Sequence, residues 1–172
     1  MAKYIVVDVE SDGPVPGPYS IVCFGAVIVD NQLDKTFYGQ VAPISDKWQA
    51  DALAISGISR EQHLKFNDPP IVMHNFAEWI KNNILGQPIF ITDNNGYDFA
   101  FINYYFHMFY GKNPFGWSSR RIGDLFCGFY NDPYYKWKQH RKTSHSHNPV
   151  DDAKGNAEAL LYLRDQGFKI KF

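Results

Sequence analysis

Two acidic residues, Asp8 and Glu10, stand one position apart near the end of a β-branched run. Successive side chains of a strand point to opposite faces, so these two carboxylates project from the same face. Neighbouring carboxylates repel each other, and a divalent cation bound between them removes that repulsion. The pair therefore predicts a metal site, although the same two residues also suit a solvated strand end.

Three later residues could serve the same site. Asp98 opens an apolar helix after the turn-forming run 93–97, and His147 and Asp152 flank the start of the last helix. Each residue also has an alternative without chemistry. The helix dipole stabilises an acid in the first turn, and a histidine in a loop is ordinarily solvated. Mg²⁺ and Mn²⁺ prefer the oxygen ligands that carboxylates offer. The candidate ligands for such ions are Asp8, Glu10, Asp98 and Asp152.

Length and composition limit the classes of protein that fit. The chain has 172 residues, which suits a single domain over 1–172 with a core of its own. Its formal net charge of −1 argues against coating long duplexes through charge alone, and two cysteines are too few for a disulfide framework. No apolar run approaches the roughly 18 residues of a membrane span, and the N-terminus lacks a leader pattern. We therefore expect a soluble, cytoplasmic protein with no membrane partner.

The hydrophobic pattern predicts an α/β protein in which helices cover a mixed sheet. Three strands joined by short connections predict an antiparallel meander, and a later short apolar run predicts a buried fourth strand. The predicted strands are 4–9, 20–30, 35–42 and 88–92. The predicted helices are 48–55, 59–65, 69–86, 97–110, 122–130 and 149–166. Asn148 fits the N-cap of the last helix, and Gly167 fits the position just after it.

The motifs, in their order along the chain, resemble those of the DEDDh 3′–5′ exonucleases, a DnaQ-like group of the ribonuclease H-like superfamily. The three principal motifs are Asp8-x-Glu10, Asn94-x-x-x-Asp98 and His147-x4-Asp152. Segments 24–27, 52–59 and 153–160 also match the family, and the resemblance covers 3–163. A sister group carries a tyrosine in place of the histidine, so this chain resembles the histidine subtype. The proline-rich loop 12–18 departs from the family, and its contacts to a terminal nucleotide cannot be carried over.

The resemblance implies a ribonuclease H-like α/β fold, with an antiparallel meander and parallel strands in one mixed sheet flanked by helices. It implies a metal-dependent 3′–5′ exonuclease that acts on single-stranded nucleic acid with a free 3′ end and releases 5′-nucleotides. RNA or short oligonucleotides are slightly favoured over DNA. A proofreading subunit of a polymerase complex and a non-catalytic nucleic-acid-binding module on the same fold are the alternatives. The resemblance leaves undecided whether the protein forms a homodimer.

The resemblance gives each motif residue a role. Asp8 would bridge two Mg²⁺ or Mn²⁺ ions, and Glu10 and Asp152 would complete the site that holds the attacking water. Asp98 would bind the second ion, directly or through water. His147 would be the general base that takes the proton from the attacking water.

Neighbouring residues offer alternatives to this assignment. Asp151 is a rival of Asp152 for the last ligand, and His145 is a rival of His147 for the base, but neither fits the family spacing. Zinc held by His140 and the two later histidines together with Asp151 is a competing metal hypothesis. It lacks the matching second pair of ligands that structural zinc sites have.

A basic and aromatic segment, 134–142, predicts part of a nucleic-acid groove. It carries four cations and no acid, interleaved with tyrosine and tryptophan, directly before the catalytic histidine. Trp137 is predicted to stack on a base and Lys138 to bind a phosphate. Asn94 is expected to contact the substrate, as its family counterpart does. A solvated surface loop is the alternative for the segment.

Overall fold

Five strands form one mixed sheet in the computed structural model, which describes residues 4–170. The strands are β1 (Tyr4–Ser11), β2 (Ile21–Ile28), β3 (Thr36–Gln40), β4 (Ile89–Thr92) and β5 (Ser119–Arg121). Their order across the sheet is β3-β2-β1-β4-β5. The first three strands are antiparallel neighbours, whereas β4 runs parallel to β1 and β5 runs parallel to β4. The prediction of a mixed sheet with an antiparallel meander and parallel strands is confirmed.

Helices flank this sheet, and their bounds agree with the sequence prediction to within a few residues. Within 4–170 the α-helices are α1 (Ala50–Ile55), α2 (Arg60–His63), α3 (Pro69–Asn83), α4 (Asp98–Phe109), α5 (Ile122–Tyr130) and α6 (Pro149–Asp165). A 3₁₀ helix covers Trp137–His140. Helix α2 begins with a capping box, in which Ser59 and Gln62 each bind the other's backbone N–H.

Two short elements have no counterpart in the sequence prediction. Strand β5 has only three residues, two of them arginines, and it is held in the sheet by backbone pairing with β4. The 3₁₀ helix lies within the segment expected to form an open loop. Neither element shows an apolar period in its sequence. Its conformation is therefore determined by tertiary contacts rather than by the local pattern.

The two faces of β1 pack against different helices. Val7 and Val9 are buried in a core that includes α3 and α4, whereas Val6 is buried in a second core that includes α5 and α6. Because side chains alternate along a strand, Asp8 and Glu10 share the face of Val6. The two acids of the first motif therefore project toward the side of the sheet that α6 covers.

A buried charged cluster fixes the proline-rich loop after β1. Asp12 is fully buried; one of its oxygens accepts the N–H of Ser20 at 2.6 Å and the other accepts Arg60 Nη1 at 2.9 Å. Arg60 Nη1 lies 3.2 Å from His63 Nδ1, and His63 Nε2 lies 3.2 Å from the carbonyl oxygen of Ile21. Since arginine can only donate, Nδ1 accepts and Nε2–H donates, so His63 is neutral. Burial lowers the pKa of His63, which agrees with the neutral form.

The single domain predicted over 1–172 includes residues outside the described range. Residues 1–3, of which only the third belongs to the family resemblance, and residues 171–172 lie outside it. Across 4–170, no helix is both long enough and apolar enough to cross a membrane.

Candidate active site

Strand β1 places Asp8 and Glu10 at the centre of the sheet, on the face covered by α6. Asp8 lies opposite Gly25 of β2 in the antiparallel ladder. A Cβ atom at Gly25 would come within 2.3–2.4 Å of backbone atoms of Pro149 and Val150. The missing side chain therefore lets the first turn of α6 approach the sheet beside the acids.

Helix α6 brings Asp152 to the same place. Asn148 caps the helix, because its side-chain oxygen accepts two backbone N–H groups of the first turn, at 3.0 and 3.4 Å. Asp152 stands in that first turn and is only 1% exposed. Carboxylate oxygens of Asp8, Glu10 and Asp152 lie within 4.8 Å of one another. The structure thus brings together three of the four predicted ligands.

Asp98 begins α4 and is anchored at the ends of two strands. One of its oxygens accepts the N–H of Val9 at 3.1 Å. The other accepts the hydroxyl of Thr92 at 2.5 Å and the N–H of Asn94 at 3.3 Å. Asp98 lies outside the 4.8 Å group of the other three acids, but its charge raises the pKa of Asp8. It is therefore a close neighbour of the cluster with a fixed orientation.

Burial and mutual repulsion favour protonation of these carboxyl groups. Burial raises the pKa of Asp8 well above its usual value, the charges of the other three acids raise it further, and the charge of Arg141 lowers it. Burial, followed by the charge of Asp152, raises the pKa of Glu10 to about 7. Burial raises the pKa of Asp98 to about 7, against hydrogen bonds that lower it. A bound divalent cation such as Mg²⁺ or Mn²⁺ would stabilise the ionised form of these carboxylates, whose oxygens are the ligands that such cations prefer.

Two histidines lie beside the carboxylates. His147 Nδ1 is 3.6 Å from Glu10 Oε1, and its backbone N–H donates to Asp152 Oδ2 at 2.9 Å. The φ of His147 is 59°, a left-handed conformation uncommon for residues other than glycine. His145 Nδ1 is 2.8 Å from Asp152 Oδ1. The side chains of His147 and His145 are 47% and 56% exposed, so water and substrate can reach both rings.

The structure corrects one predicted substrate contact, that of Trp137. This side chain is 5% exposed and packs in the second core, with its ring centroid 6.1 Å from that of Phe126. The ring is not available to stack on a base, so the prediction of a stacking platform is wrong. A tryptophan between lysines is typical of a nucleic-acid surface, but the 3₁₀ helix turns this one inward.

Lys138 and Asn94, the other predicted substrate contacts, lie near each other. Lys138 is 61% exposed, and its Nζ is 2.6 Å from a carboxylate oxygen of Asp93. Asn94 is the next residue along the chain, is exposed, and donates its backbone N–H to Asp98. Both residues therefore border the acidic cluster, and their contact with a substrate stays a prediction.

His140 belongs to a different environment from the other two histidines of the zinc hypothesis. Its ring stacks on Tyr162 at 3.7 Å between centroids, and its Nε2 lies 2.9 Å from the hydroxyl of Tyr135. Asp151 is exposed on α6, whereas Asp152 is buried at the cluster. The geometry does not support a zinc site built from His140 and Asp151.

The sequence did not predict that two residues contact Asp152. His145 reaches it although its spacing differs from the family pattern. Arg141 Nη2 lies 2.8 Å from Asp152 Oδ1, and its side chain is 8% exposed. In the sequence Arg141 is one of several cations in a polar segment, so no local signal separates it from the exposed ones.

Comparison with known proteins places this site in a family. The family model RNase_T, described as an exonuclease, matches residues 5–160. The chain belongs to this exonuclease family. The Escherichia coli protein named 3′-5′ DNA exonuclease Cap18 is 32% identical over 167 residues, which make up 95% of this exonuclease and 87% of Cap18.

Solved structures share the fold of this exonuclease. The nuclease domain of 3′hExo, described as a DEDDh family member bound to rAMP, matches with a TM-score of 0.79 at 19% identity, covering 99% of this chain and 96% of that one. Exonuclease I of Escherichia coli, in complex with a dT13 oligonucleotide, matches with a TM-score of 0.74 at 16% identity. That match covers 96% of this chain and 42% of exonuclease I. The ribonuclease H-like fold class is confirmed.

These matches also confirm the predicted class of enzyme. The chain is a 3′–5′ exonuclease of the DEDDh type that acts on nucleic acid. Exonucleases of this type depend on divalent metal ions, and two groups of the described residues that share Asp152 could bind them: Asp8 with Glu10, and His145 with His147.

Proposed function

We propose that this exonuclease hydrolyses the terminal phosphodiester of single-stranded DNA with a free 3′ end, using two divalent metal ions and releasing 5′-nucleotides. The observation that carries the proposal is the group of carboxylates from Asp8, Glu10 and Asp152, within 4.8 Å of one another, with His147 beside it. Four acids face one buried arginine, so a bound cation would stabilise the ionised form of carboxyl groups that burial and repulsion otherwise disfavour. Such a cluster favours binding of divalent cations, which in turn bind phosphate.

The four carboxylates divide into two sets of ligands in this proposal. Asp8 would be shared between two Mg²⁺ or Mn²⁺ ions, Glu10 and Asp152 would complete one site, and Asp98 would serve the other. When bound, the ions would offset the charge of the phosphate, favour ionisation of the attacking water and stabilise the leaving 3′-oxygen. Backbone N–H groups bind Asp98 and Asp152, so these two carboxylates keep their orientation before substrate arrives.

His147 would accept the proton of the attacking water. Its ring is half exposed, and Glu10 Oε1 at 3.6 Å from Nδ1 would stabilise the imidazolium that forms. The N–H bond to Asp152 helps to hold the left-handed backbone that carries this ring. His145 is the rival base, because its ring also borders the cluster.

DNA is proposed as the substrate on the strength of Cap18, which is named a DNA exonuclease and is 32% identical to this chain. The sequence alone slightly favoured RNA. Lys138 and Asn94, both exposed and bordering the acids, would contact the strand near its 3′ end. The segment around Lys138 carries cations without acids, which suits the phosphates of a single strand.

A nuclease assay on 5′-labelled oligonucleotides tests the proposal. DNA and RNA of one sequence, each with a free or a blocked 3′ end, are incubated with Mg²⁺, Mn²⁺ or a chelator. We expect DNA with a free 3′ end to shorten stepwise in either metal, and the blocked strand and the chelated reaction to stay intact. RNA degraded faster than DNA would contradict the choice of substrate. No metal-dependent shortening of either strand would contradict the proposed activity.

Two further predictions accompany the proposed function. A homodimer is consistent with the compact chain, and the molar mass from light scattering tests it. A cytoplasmic location is tested by fractionation of cells that express the protein.

A further inference from the structure

Arg141 lies inside the protein rather than on the basic surface that the sequence suggested. Its side chain is 8% exposed, and Nη2 donates to Asp152 Oδ1 at 2.8 Å. Its Nε is buried and has no hydrogen-bond partner among residues 4–170. A buried guanidinium is costly unless a negative environment compensates it, and the acidic cluster supplies that environment.

Helix α6 is shaped to receive this arginine. A Cβ atom at Gly155 would lie 2.5 Å from Arg141 Nε, 2.8 Å from its Nη2 and 2.8 Å from the backbone carbonyl oxygen of Thr143, so the glycine makes room for the guanidinium and for the segment that carries it. Asp152 and Gly155 are three positions apart and share one face of the helix. Glu158, one turn further, accepts the backbone N–H groups of Lys142 and Thr143 at 2.7 Å. Three positions on α6, Asp152, Gly155 and Glu158, thus fix the segment that carries Arg141.

The two carboxylate oxygens of Asp152 differ in the number of donors near them. Oδ1 is within hydrogen-bonding distance of three groups: Arg141 Nη2 at 2.8 Å, His145 Nδ1 at 2.8 Å and the N–H of Ser146 at 3.2 Å. Oδ2 accepts one, the N–H of His147 at 2.9 Å. A carboxylate oxygen has two lone pairs, so Oδ1 is saturated while Oδ2 keeps a lone pair.

We propose that Arg141 is a positioning residue that ties up Asp152 Oδ1, turns Oδ2 toward the metal site and supplies a permanent positive charge inside the acidic cluster. The inference deepens the proposed function, on which it rests. Arg141 acts through Asp152 and does not contact the nucleic acid. Removing Arg141 makes the cluster more negative and takes away one of the donors that hold Oδ1, which leaves that oxygen with His145 and the N–H of Ser146.

This role predicts opposite effects on metal affinity and on turnover. In Arg141→Met, Mn²⁺ affinity measured by calorimetry should rise about fivefold, because one competing positive charge is gone. Turnover of single-stranded DNA at saturating Mn²⁺ should fall about 10- to 100-fold, the usual effect of losing a group that orients a metal ligand. The KM for DNA should stay unchanged. Loss of a general structural support would weaken Mn²⁺ binding and turnover together, and loss of a phosphate contact would raise KM.

Three further variants complete the test. Arg141→Lys keeps the charge and should bind Mn²⁺ like the wild type, with turnover between wild type and Arg141→Met. Gly155→Ala, whose methyl group would displace the guanidinium and the backbone at Thr143, keeps the charge but moves it away from Asp152; both quantities should shift in the same directions as in Arg141→Met, with the smaller rise in Mn²⁺ affinity, and the variant serves if Arg141→Met does not fold. Lys154→Met is the control: it removes a positive charge from the residue next to Gly155, whose side chain is not among the described groups that contact Asp152, and should change neither quantity.

The outcomes separate this inference from the proposed function. If the wild type binds Mn²⁺ but degrades no DNA, the proposed function is wrong, and the affinities still test the role of Arg141. An active wild type with Arg141→Met of unchanged turnover would overturn the inference alone. So would weaker Mn²⁺ binding in both Arg141→Met and Gly155→Ala.

Discussion

Glu10 and Asp12 lie two positions apart on the chain, yet their carboxylates have opposite surroundings. Glu10 faces other acids, and burial together with the charge of Asp152 raises its pKa to about 7. Asp12 is fully buried but meets donors on each oxygen, from Ser20 at 2.6 Å and Arg60 at 2.9 Å. The acidic cluster has too few cationic side chains to balance its carboxylates, so it favours binding of metal cations. The Asp12–Arg60–His63 cluster has a donor for each carboxylate oxygen, and it fixes a loop. The balance of charge, more than burial, separates a binding site from a structural one.

Replacing an aspartate by asparagine in each cluster should give the largest difference between the two, in turnover and in stability. Asp8→Asn should lower turnover by roughly 10³-fold or more, because it removes a charge that the two proposed metal ions would share. The unfolding free energy of the metal-free variant should not fall, since repulsion is relieved. Asp12→Asn should do the reverse, with lower stability and near-normal turnover. Nuclease assays and urea unfolding measure the two effects, and undiminished turnover in Asp8→Asn would contradict the two-metal mechanism.

The histidines test which side chain of the acidic cluster moves the proton. His147→Ala should lower turnover about 10²- to 10⁴-fold, the usual contribution of a general base, while Mn²⁺ binding is largely kept. His145→Ala is the matched control and should have the smaller effect. A crippled His145→Ala beside a nearly normal His147→Ala would show that the base is His145.

Arg60→Met tests whether the Asp12–Arg60–His63 cluster is structural. It leaves the Asp12 carboxylate buried without its cation, which should lower the unfolding free energy by about 3 kcal/mol. Arg120→Met, at an exposed arginine of β5, should change it by less than about 0.5 kcal/mol. Urea unfolding of both variants measures the difference. Equal stability of Arg60→Met and wild type would mean that the cluster does not hold the loop.

The stability of the metal-free protein should depend on pH through the acidic cluster. The pKa of Glu10 is raised from 4.5 to about 7 on folding, so the folded state binds a proton more tightly than the unfolded one. Its contribution is complete below pH 4.5 and is lost as the pH rises to about 7. At about 1.4 kcal/mol per pH unit the loss is about 3 kcal/mol, which solvent screening of this partly exposed group lowers to about 2 kcal/mol. Saturating Mg²⁺ should remove most of this loss. Urea titrations across this range, with metal and with chelator, check the effect; a flat metal-free curve would contradict it.

Lys138→Ala should have the smallest effect. The side chain is 61% exposed, so its loss should leave stability unchanged and remove one phosphate contact. The slope of log affinity for single-stranded DNA against log salt should then fall by about 0.7. Binding is measured in Ca²⁺ across a salt series, and a slope equal to that of the wild type would exclude Lys138 from the groove.

The sequence predicted those parts of the site that sit on regular elements. Asp8 and Glu10 follow the two-residue period of a strand, and Asp152 follows an N-cap and a proline that fix the start of a helix. Their spacing is local, so it can be read without the fold. The inward ring of Trp137 and the buried charge of Arg141 depend instead on how the segment 131–147 folds against α6. That segment has no apolar period, and its composition alone resembles an exposed surface.

The close approach at Gly25 also bears on when the protein can act. The acids of β1 belong to the first strand and Asp152 to the last helix, and the packing of α6 on the sheet, with its close approach at Gly25, brings them together. A folding intermediate with a formed sheet but an undocked α6 would carry Asp8 and Glu10 without Asp152, so the proposed metal site would be incomplete. Nuclease activity should therefore appear in the final docking step, which protects nucleic acid from a chain that has not finished folding.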